Sequence, residues 1–147
     1  MMKRYRIPLI CGIVFLVFLV WYYWAHPLTT RVNINGNMFT VDLAITNKEK
    51  EKGLGYRDNL KADHGMLFVY QNKDRYGFWM KGMRFPIDII WILDNTIVDI
   101  SKNVPVATTG ALPTYTPKEP VNKVFEVNAG TTDRLGIQIG DTIKILK

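Results

Sequence analysis

The chain has 147 residues, which is enough for one domain and a short extension. Apolar residues make up 48% and charged residues 22%, a balance that excludes a disordered protein. The net charge is +6, but Lys3, Arg4 and Arg6 precede the first apolar run, and the remainder carries only 16 basic against 13 acidic residues. These bases are scattered without a basic stripe, so we expect no nucleic-acid partner.

The chain begins with an apolar segment that is long enough to cross a membrane. Residues 7–25 contain no charged residue. As a helix rising about 1.5 Å per residue, they nearly match the ~30 Å hydrocarbon layer. Bases precede the segment, and aromatic residues 21–24 lie at its far end, where such rings favour the interface. The pattern predicts a single-pass anchor within residues 1–27, with the N-terminus in the cytoplasm and residues 28–147 outside.

Two kinds of cleaved leader and a buried core helix are the alternatives to this anchor, and nineteen apolar residues at the extreme N-terminus argue against the core helix. Tyr23 and Trp24 before Ala25 fit the small-residue site of a signal peptidase poorly. A lipoprotein signal would have a small residue before the cysteine, whereas Ile10 precedes Cys11. Because Cys11 is the single cysteine, we expect neither a disulfide nor a thiolate metal site in the outer domain.

The outer domain opens with a pattern typical of a β-hairpin. Residues 31–34 and 38–43 flank Asn35-Gly36, a strong two-residue turn signal. This turn pairs Val32 with Phe39, and the two side chains then share one apolar face.

A short helix is expected next, because Thr46 and Glu49 have the spacing of a capping box and Gly53 suits the C-terminal end. Residues 54–64 are expected to be irregular. Residues 65–70 read as a buried strand, since they are almost wholly apolar.

A second hairpin forms the centre of the domain. After a short aromatic strand at 78–80, residues 87–93 and 96–104 flank the turn at Asp94-Asn95. A two-residue turn fixes the register and gives one core face and one part-polar face. The expected pairs are Trp91 with Val98, Ile89 with Ile100, Asp88 with Ser101, and Ile90 with Asp99.

The rest of the chain alternates between turn signals and short strands. A proline-rich loop over residues 105–120 precedes strands at 124–128 and 142–146, with one helical turn at 131–135. We therefore expect a mainly β fold: a small antiparallel β-barrel or sandwich with one or two short helices, preceded by the single transmembrane helix.

Six motifs, in chain order, resemble the domain of unknown function 192 family over nearly the whole outer domain. They are Gly53-Leu54-Gly55-Tyr56-Arg57, Gly65-Met66-Leu67-Phe68, Phe78-Trp79-Met80-Lys81, Pro86-Ile87-Asp88-Ile89-Ile90, Glu126-Val127-Asn128-Ala129-Gly130, and Arg134-Leu135-Gly136-Ile137 followed by Gly140-Asp141. The resemblance implies a compact β-rich domain, often exported or anchored, without an established reaction. Many relatives carry paired cysteines in the proline-rich loop; residues 106–111 have none here, so a redox or metal role there is in doubt.

The candidate binding site lies around the turn between Trp79 and Asp88. A carboxylate among isoleucines needs a partner when it is buried, and Arg57 or Lys81 could supply one. Asp88 is then either a structural ion pair or strand cap, or half of a ligand-facing pair in a cleft. Trp79 and Tyr115 are candidates for lining that cleft under the proline-rich loop.

Other constellations match no known template. Adjacent His64 and Asp63 would point to opposite faces of a strand, and the aspartates at 88, 94 and 99 lack calcium or zinc spacing. The methionines at 66, 80 and 83 suit a core better than a copper site. We therefore predict no metal and no cofactor.

These features favour a membrane-anchored extracytoplasmic binding or interaction module, whose small-molecule or protein partner the sequence leaves open. The alternative is a carboxylate-dependent, hydrolase-like enzyme in the cleft near Lys81 and Asp88, with Asp88 as acid or base. Whether the protein is an enzyme stays open at this point.

Overall fold

The computed structural model describes residues 12–18, 29–107 and 112–146. Residues 12–18 are helical. The further elements, in chain order, are β1 (Thr29–Ile34), β2 (Asn37–Ala44), α1 (Asn47–Lys52), β3 (His64–Asp74), β4 (Phe78–Trp79), β5 (Ile87–Leu93), β6 (Thr96–Val104), β7 (Thr114–Tyr115), β8 (Val121–Asn128), α2 (Thr131–Arg134) and β9 (Ile143–Leu146).

The expected membrane helix over residues 7–25 lies mostly outside the described residues. Within it, residues 12–18 are helical and their side chains are exposed. In the described ranges, no helix combines the length and the apolar character needed to span a bilayer.

Seven strands form one curled sheet in the order β6-β5-β8-β3-β2-β1-β9, and β4 pairs with β7. The mainly β prediction is confirmed, but the sheet is not wholly antiparallel, because β2 and β3 run parallel. Residues 45–63 carry the chain back between them, and only a long connection of this kind can join parallel neighbours. The sheet curls into a half-barrel whose edges touch, since Thr96 bridges Thr142 and the Ile143 N–H donates to the Asn95 carbonyl at 2.8 Å.

The local predictions in the first half of the domain are confirmed. Val32 pairs with Phe39 across a turn in which Asn35 and Gly36 have φ of 52° and 84°, as a two-residue hairpin requires. At α1 the capping box is complete: Thr46 Oγ1 accepts from the Glu49 N–H at 3.3 Å, and Glu49 Oε2 accepts from the Thr46 N–H at 2.8 Å.

The predicted register of the second hairpin is wrong beyond the first two pairs after the turn. Ile92 pairs with Ile97 as expected, but Trp91 then pairs with Asp99 instead of Val98. Val98 is an extra residue in β6, and a β-bulge of this kind shifts every later partner by one. The observed pairs are Trp91 with Asp99, Ile90 with Ile100, and Ile89 with Ser101, followed by a second irregularity before Ile87 with Val104.

Both faces of the central strands are buried, so the expected part-polar face of β5 is also wrong. Ile87 to Ile92 are all buried. One face contributes to a cluster that includes Met66, Phe68, Ile89, Trp91 and Val124. The other contributes to a cluster that includes Leu67, Ile90, Ile92, Phe125 and Val127. The chain gains this burial because β4 and β7 cover the first face: Phe78 meets Trp91 edge-on at a centroid distance of 5.4 Å.

Asp88 lies in this interior with an exposed fraction of 0%. Its Oδ1 accepts from the backbone N–H of Asn103 at 2.8 Å and of Gly130 at 3.2 Å. Its Oδ2 accepts from the backbone N–H and the hydroxyl of Thr132, at 2.9 and 2.8 Å. The carboxylate therefore holds the irregular end of β6 and the start of α2 against β5 through hydrogen bonds. It makes no ion pair with Arg57 or Lys81.

We expect Asp88→Ala to lower the free energy of unfolding by about 3 kcal/mol or more, because buried N–H donors that lose their acceptor cost about 1–3 kcal/mol each. Asp58→Ala is the matched control, since Asp58 is exposed and pairs with Arg84 at the surface. The control should cost less than about 1 kcal/mol. Urea unfolding of the two variants measures the difference, and equal losses would contradict a structural role for Asp88.

Candidate functional site

A shallow cleft lies between α1 with its following turn and the segment around β4, and it encloses about 50 Å³ within an open space of about 400 Å³ that includes solvent. Glu126 forms its floor, aromatic side chains its walls, and lysines its rim. We call it the Glu126 cleft. Its lining residues are Lys50, Glu51, Lys52, Gly53, Leu54, Gly55, Phe68, Tyr70, Gly77, Phe78, Trp79, Lys81, Met83 and Glu126.

Two glycines let the turn after α1 pass close to the floor and to the opposite wall. Gly53 has φ 50° and ψ −139°, a conformation that side-chain-bearing residues rarely adopt, and a Cβ there would stand 3.9 Å from Glu126 Oε2. A Cβ on Gly55 would approach the carbonyl oxygens of Lys52 at 2.9 Å and Lys81 at 3.0 Å. Glycine at both positions thus allows the backbone to enclose the cleft.

Glu126 comes from the middle of the sheet. On β8 it is paired with Met66 of β3 on one side and with Ile89 of β5 on the other. Only 5% of the residue is exposed, and its Oε2 receives no hydrogen bond from any residue within the described ranges. It is therefore a buried carboxyl group with one oxygen unpartnered, beside a cleft that reaches solvent.

This environment changes the acidity of Glu126. Burial among apolar neighbours disfavours the charged form and raises the pKa of Glu126 to about 8, although the positive charge of Arg57 acts in the opposite direction. The Arg57 guanidinium is itself paired with Asp42 at 2.7 Å. At neutral pH the Glu126 carboxyl is mostly protonated, so it can both donate and accept a hydrogen bond.

The aromatic wall is organised by stacking and by cations. Tyr70 and Tyr76 stack with ring centroids 3.6 Å apart, and Lys50 Nζ lies 4.2 Å from the Tyr70 centroid. Burial raises the pKa of Tyr70, and the nearby Tyr76 and Glu126 add to this effect. Tyr70 is consequently an uncharged phenol in this wall at any physiological pH.

The structure places two of the five predicted site residues in the lining of the cleft and the other three elsewhere. Trp79 and Lys81 line the cleft: Trp79 is 47% exposed, and Lys81 Nζ lies 5.5 Å from its ring centroid. Arg57 is outside the lining, but its positive charge acts to lower the pKa of Glu126 at the floor. Tyr115 pairs with Phe78 in the β4–β7 ribbon and is outside the lining, and Asp88 is sealed in the core.

Glu126 is the residue that sequence reasoning missed. It appears there only as part of a family motif, although the sequence around it contained a usable signal. In Val124-Phe125-Glu126-Val127, a single carboxylate interrupts an apolar strand, as Asp88 does in its own strand. Strand alternation puts Glu126 on the same face as Val124, which is a core residue.

The methionines and the histidine considered as metal ligands lie in different surroundings. Met66, Met80 and Met83 are buried in the first apolar cluster. His64 Nδ1 contacts Asp63 at 2.8 Å, outside the cleft. In the described parts of the chain, no group of three His, Cys, Asp or Glu side chains is arranged to hold a metal ion.

We expect the stability of the protein to fall as pH rises from about 4.5 to about 8 because of Glu126. Over this range the native state keeps the Glu126 proton, whereas the unfolded chain, with an ordinary pKa of 4.5, has lost it. The free energy of unfolding should fall by roughly 1 kcal/mol or more per pH unit and then level off.

Glu126→Gln, which imitates the neutral form, should remove this contribution, so its stability advantage over the wild type grows between pH 5 and pH 8. Glu119→Gln makes the same change at an exposed residue outside the cleft and should follow the wild-type profile. Urea unfolding at pH 5, 6.5 and 8 tests this. Parallel profiles for all three proteins would show that Glu126 ionises normally.

Two solved structures are similar to this chain. One is a protein from Sinorhizobium meliloti 1021 described as a candidate transcription regulator; it is 36% identical with a TM-score of 0.72, and the match covers 81% of this chain and 95% of that chain. The other is a protein of unknown function from Novosphingobium aromaticivorans DSM 12444; it is 32% identical with a TM-score of 0.73, covering 81% and 89%. A comparison with curated proteins finds no match.

The family model described as DUF192, Uncharacterized ACR, matches residues 30–145. This range spans β1 to β9 almost entirely, and it includes Glu126 together with all of the lining of the Glu126 cleft. Since the model covers most of the chain and a solved relative shares 36% identity with it, the chain belongs to the DUF192 family.

Proposed function

We propose that the chain is a membrane-anchored extracytoplasmic binding module that takes a small molecule into the Glu126 cleft. The observation that carries the proposal is the unpartnered Oε2 of Glu126 at the floor of a cleft that opens to solvent. A buried polar atom without a partner costs about 1–3 kcal/mol. A ligand that hydrogen-bonds this atom recovers that free energy on binding.

The lining above the floor supports the same proposal. Phe68 and Phe78 are buried and meet edge-on at 4.8 Å, so the walls are packed into the first apolar cluster. Trp79 offers an exposed aromatic surface at the rim, next to the charged end of Lys81. An apolar wall with a few convergent polar groups is typical of small-molecule sites.

Catalysis is a second candidate, and the pKa of Glu126 favours it. A carboxylic acid whose pKa is about 8 can act as a general acid or base near neutral pH. However, no Ser, Thr, Cys, His or Asp is among the described residues that line the cleft. A reaction would have to rely on Glu126 with Tyr70, the rim residue Glu51 or a lysine, and Asp88, sealed in the core, is out of reach of the cleft. Binding is therefore the better supported function.

Nucleic-acid binding is raised by the description of the Sinorhizobium meliloti protein as a candidate transcription regulator. That description concerns that protein. In this chain, 16 basic and 13 acidic residues follow Arg6, which is a weak surplus for contacts with a phosphate backbone. The cleft, with a carboxyl floor and an aromatic wall, instead suits a small molecule.

The proposed anchor rests on the N-terminal sequence. Residues 7–25 are uncharged and follow three bases, and residues 12–18 are helical with exposed apolar side chains. A helix that exposes such side chains is stable in hydrocarbon but unfavourable in water. The positive-inside bias then places the cleft outside the cytoplasm.

We expect a ligand panel to contain molecules that raise the melting temperature of the full chain in detergent, since ligands that bind the native state stabilise it by mass action. The panel comprises amino acids, sugars, nucleotides and organic acids. The rise should be lost in Glu126→Leu, which removes both carboxyl oxygens and keeps an apolar side chain at the floor. It should be kept in Glu119→Leu. Equal rises in both variants, or no rise with any compound, would contradict the proposal.

For the anchor, we expect alkaline phosphatase fused after Lys147 to be active in a Gram-negative host, because this reporter needs disulfides that form outside the cytoplasm. The same fusion without residues 1–27 is the control and should be inactive. Activity from a cytoplasmic reporter at Lys147, together with an inactive phosphatase fusion, would overturn the orientation.

A further inference from the structure

The rim of the Glu126 cleft carries an excess of positive charge. Three lysines, Lys50, Lys52 and Lys81, line it together with a single exposed carboxylate, Glu51. None of these lysines forms an ion pair with a carboxylate of the described residues. Lys50 and Lys81 lie instead over the rings of Tyr70 and Trp79. The cleft therefore presents unneutralised cations at its mouth.

The floor adds little negative charge to offset these cations. Glu126 lies among Met66, Phe68 and Ile89, and its unpartnered Oε2 lies close to Gly53. A carboxyl group in such surroundings favours the neutral form. The cleft is thus polarised, with cations at the mouth, apolar rings along the walls and an uncharged hydrogen-bonding group at the base.

Resting on the function proposed above, we propose that the ligand is a small organic anion with a flat apolar body and a hydrogen-bonding group at the end opposite its charge. The anionic group lies among Lys50, Lys52 and Lys81, the body lies against the ring of Trp79, and the distal group bonds Glu126. A cationic ligand would meet the three lysines first. A neutral ligand would pack against the aromatic walls but would not pair with the lysines of the rim.

The charge of the ligand can be tested with three compounds of one shape. 4-Hydroxybenzoate is an anion, 4-hydroxybenzamide is neutral, and 4-hydroxybenzylamine is a cation, and each has a hydroxyl opposite the variable group. Calorimetry on the full chain in detergent gives the affinities, and the NMR shifts of the Gly53 and Gly55 amides report whether binding occurs in the cleft. We expect 4-hydroxybenzoate to bind about tenfold more tightly than the amide, a difference of about 1.4 kcal/mol, and the amine to bind weakest.

Two variants, Lys81→Gln and Glu126→Leu, identify the side chains that bind the two ends of the ligand. Lys81→Gln should weaken 4-hydroxybenzoate about threefold and leave the amide unchanged, whereas Lys144→Gln, on the exposed part of β9, should change neither. Replacing 4-hydroxybenzoate by benzoate should cost affinity in the wild type and not in Glu126→Leu, because only the wild type bonds the hydroxyl.

The outcomes separate this inference from the function on which it rests. If the amide or the amine shifts the Gly53 and Gly55 amides and binds as tightly as the anion, the ligand class is overturned and the binding function stands. If none of the three compounds shifts these amides, the ligand class is overturned, and the melting-temperature panel described above decides the binding function separately. If 4-hydroxybenzoate binds best but Lys81→Gln and Lys144→Gln weaken it equally, the rim lysines are not the anion site and the inference fails.

Discussion

The carboxylate of Asp88 accepts hydrogen bonds from Asn103, Gly130 and Thr132, and so connects β5 to two segments that β pairing alone does not hold. One segment is the second irregularity of β6, where Asn103 has φ 51°. The other is α2, whose first turn needs an acceptor for its free N–H groups. The positions of the end of β6 and of α2 relative to β5 therefore depend on this one buried carboxylate.

Glu126 is a second buried carboxyl group on a strand of the sheet, but within the described residues it lacks the hydrogen bonds that Asp88 has. The hydrogen bonds of Asp88 compensate for its burial, whereas Glu126 Oε2 is left without a partner from the described residues and its pKa rises to about 8. An unpaired buried carboxyl destabilises the fold, and the fold tolerates it beside an opening to solvent. The contrast between hydrogen-bonded and unpartnered oxygens distinguishes the two carboxyl groups more clearly than residue type or position along a strand.

The sequence was sufficient where local chemistry decides the structure. Asn35-Gly36 sets its own turn, and the Thr46 and Glu49 capping box forms within four residues, so both were predictable. The Val98 bulge and the parallel pairing of β2 with β3 depend on distant strands and were not. The same limit applies to the site: Trp79 and Lys81 were identified from their own turn, but Glu126 reaches the cleft only through its pairing with β3 and β5.

The floor and the rim of the Glu126 cleft are built from different parts of the chain, which explains why fold similarity gives no reaction here. The sheet supplies the floor and the walls, Glu126 and Phe68 among them. Most of the rim comes from the connection between β2 and β3, where α1 buries none of its own residues and the turn at Gly53 brings the backbone over the floor. A segment with so little burial can change its charges at small cost to stability. A relative with the same sheet can therefore change most of the charge at this rim by altering α1 alone, while the floor contributed by the sheet stays the same.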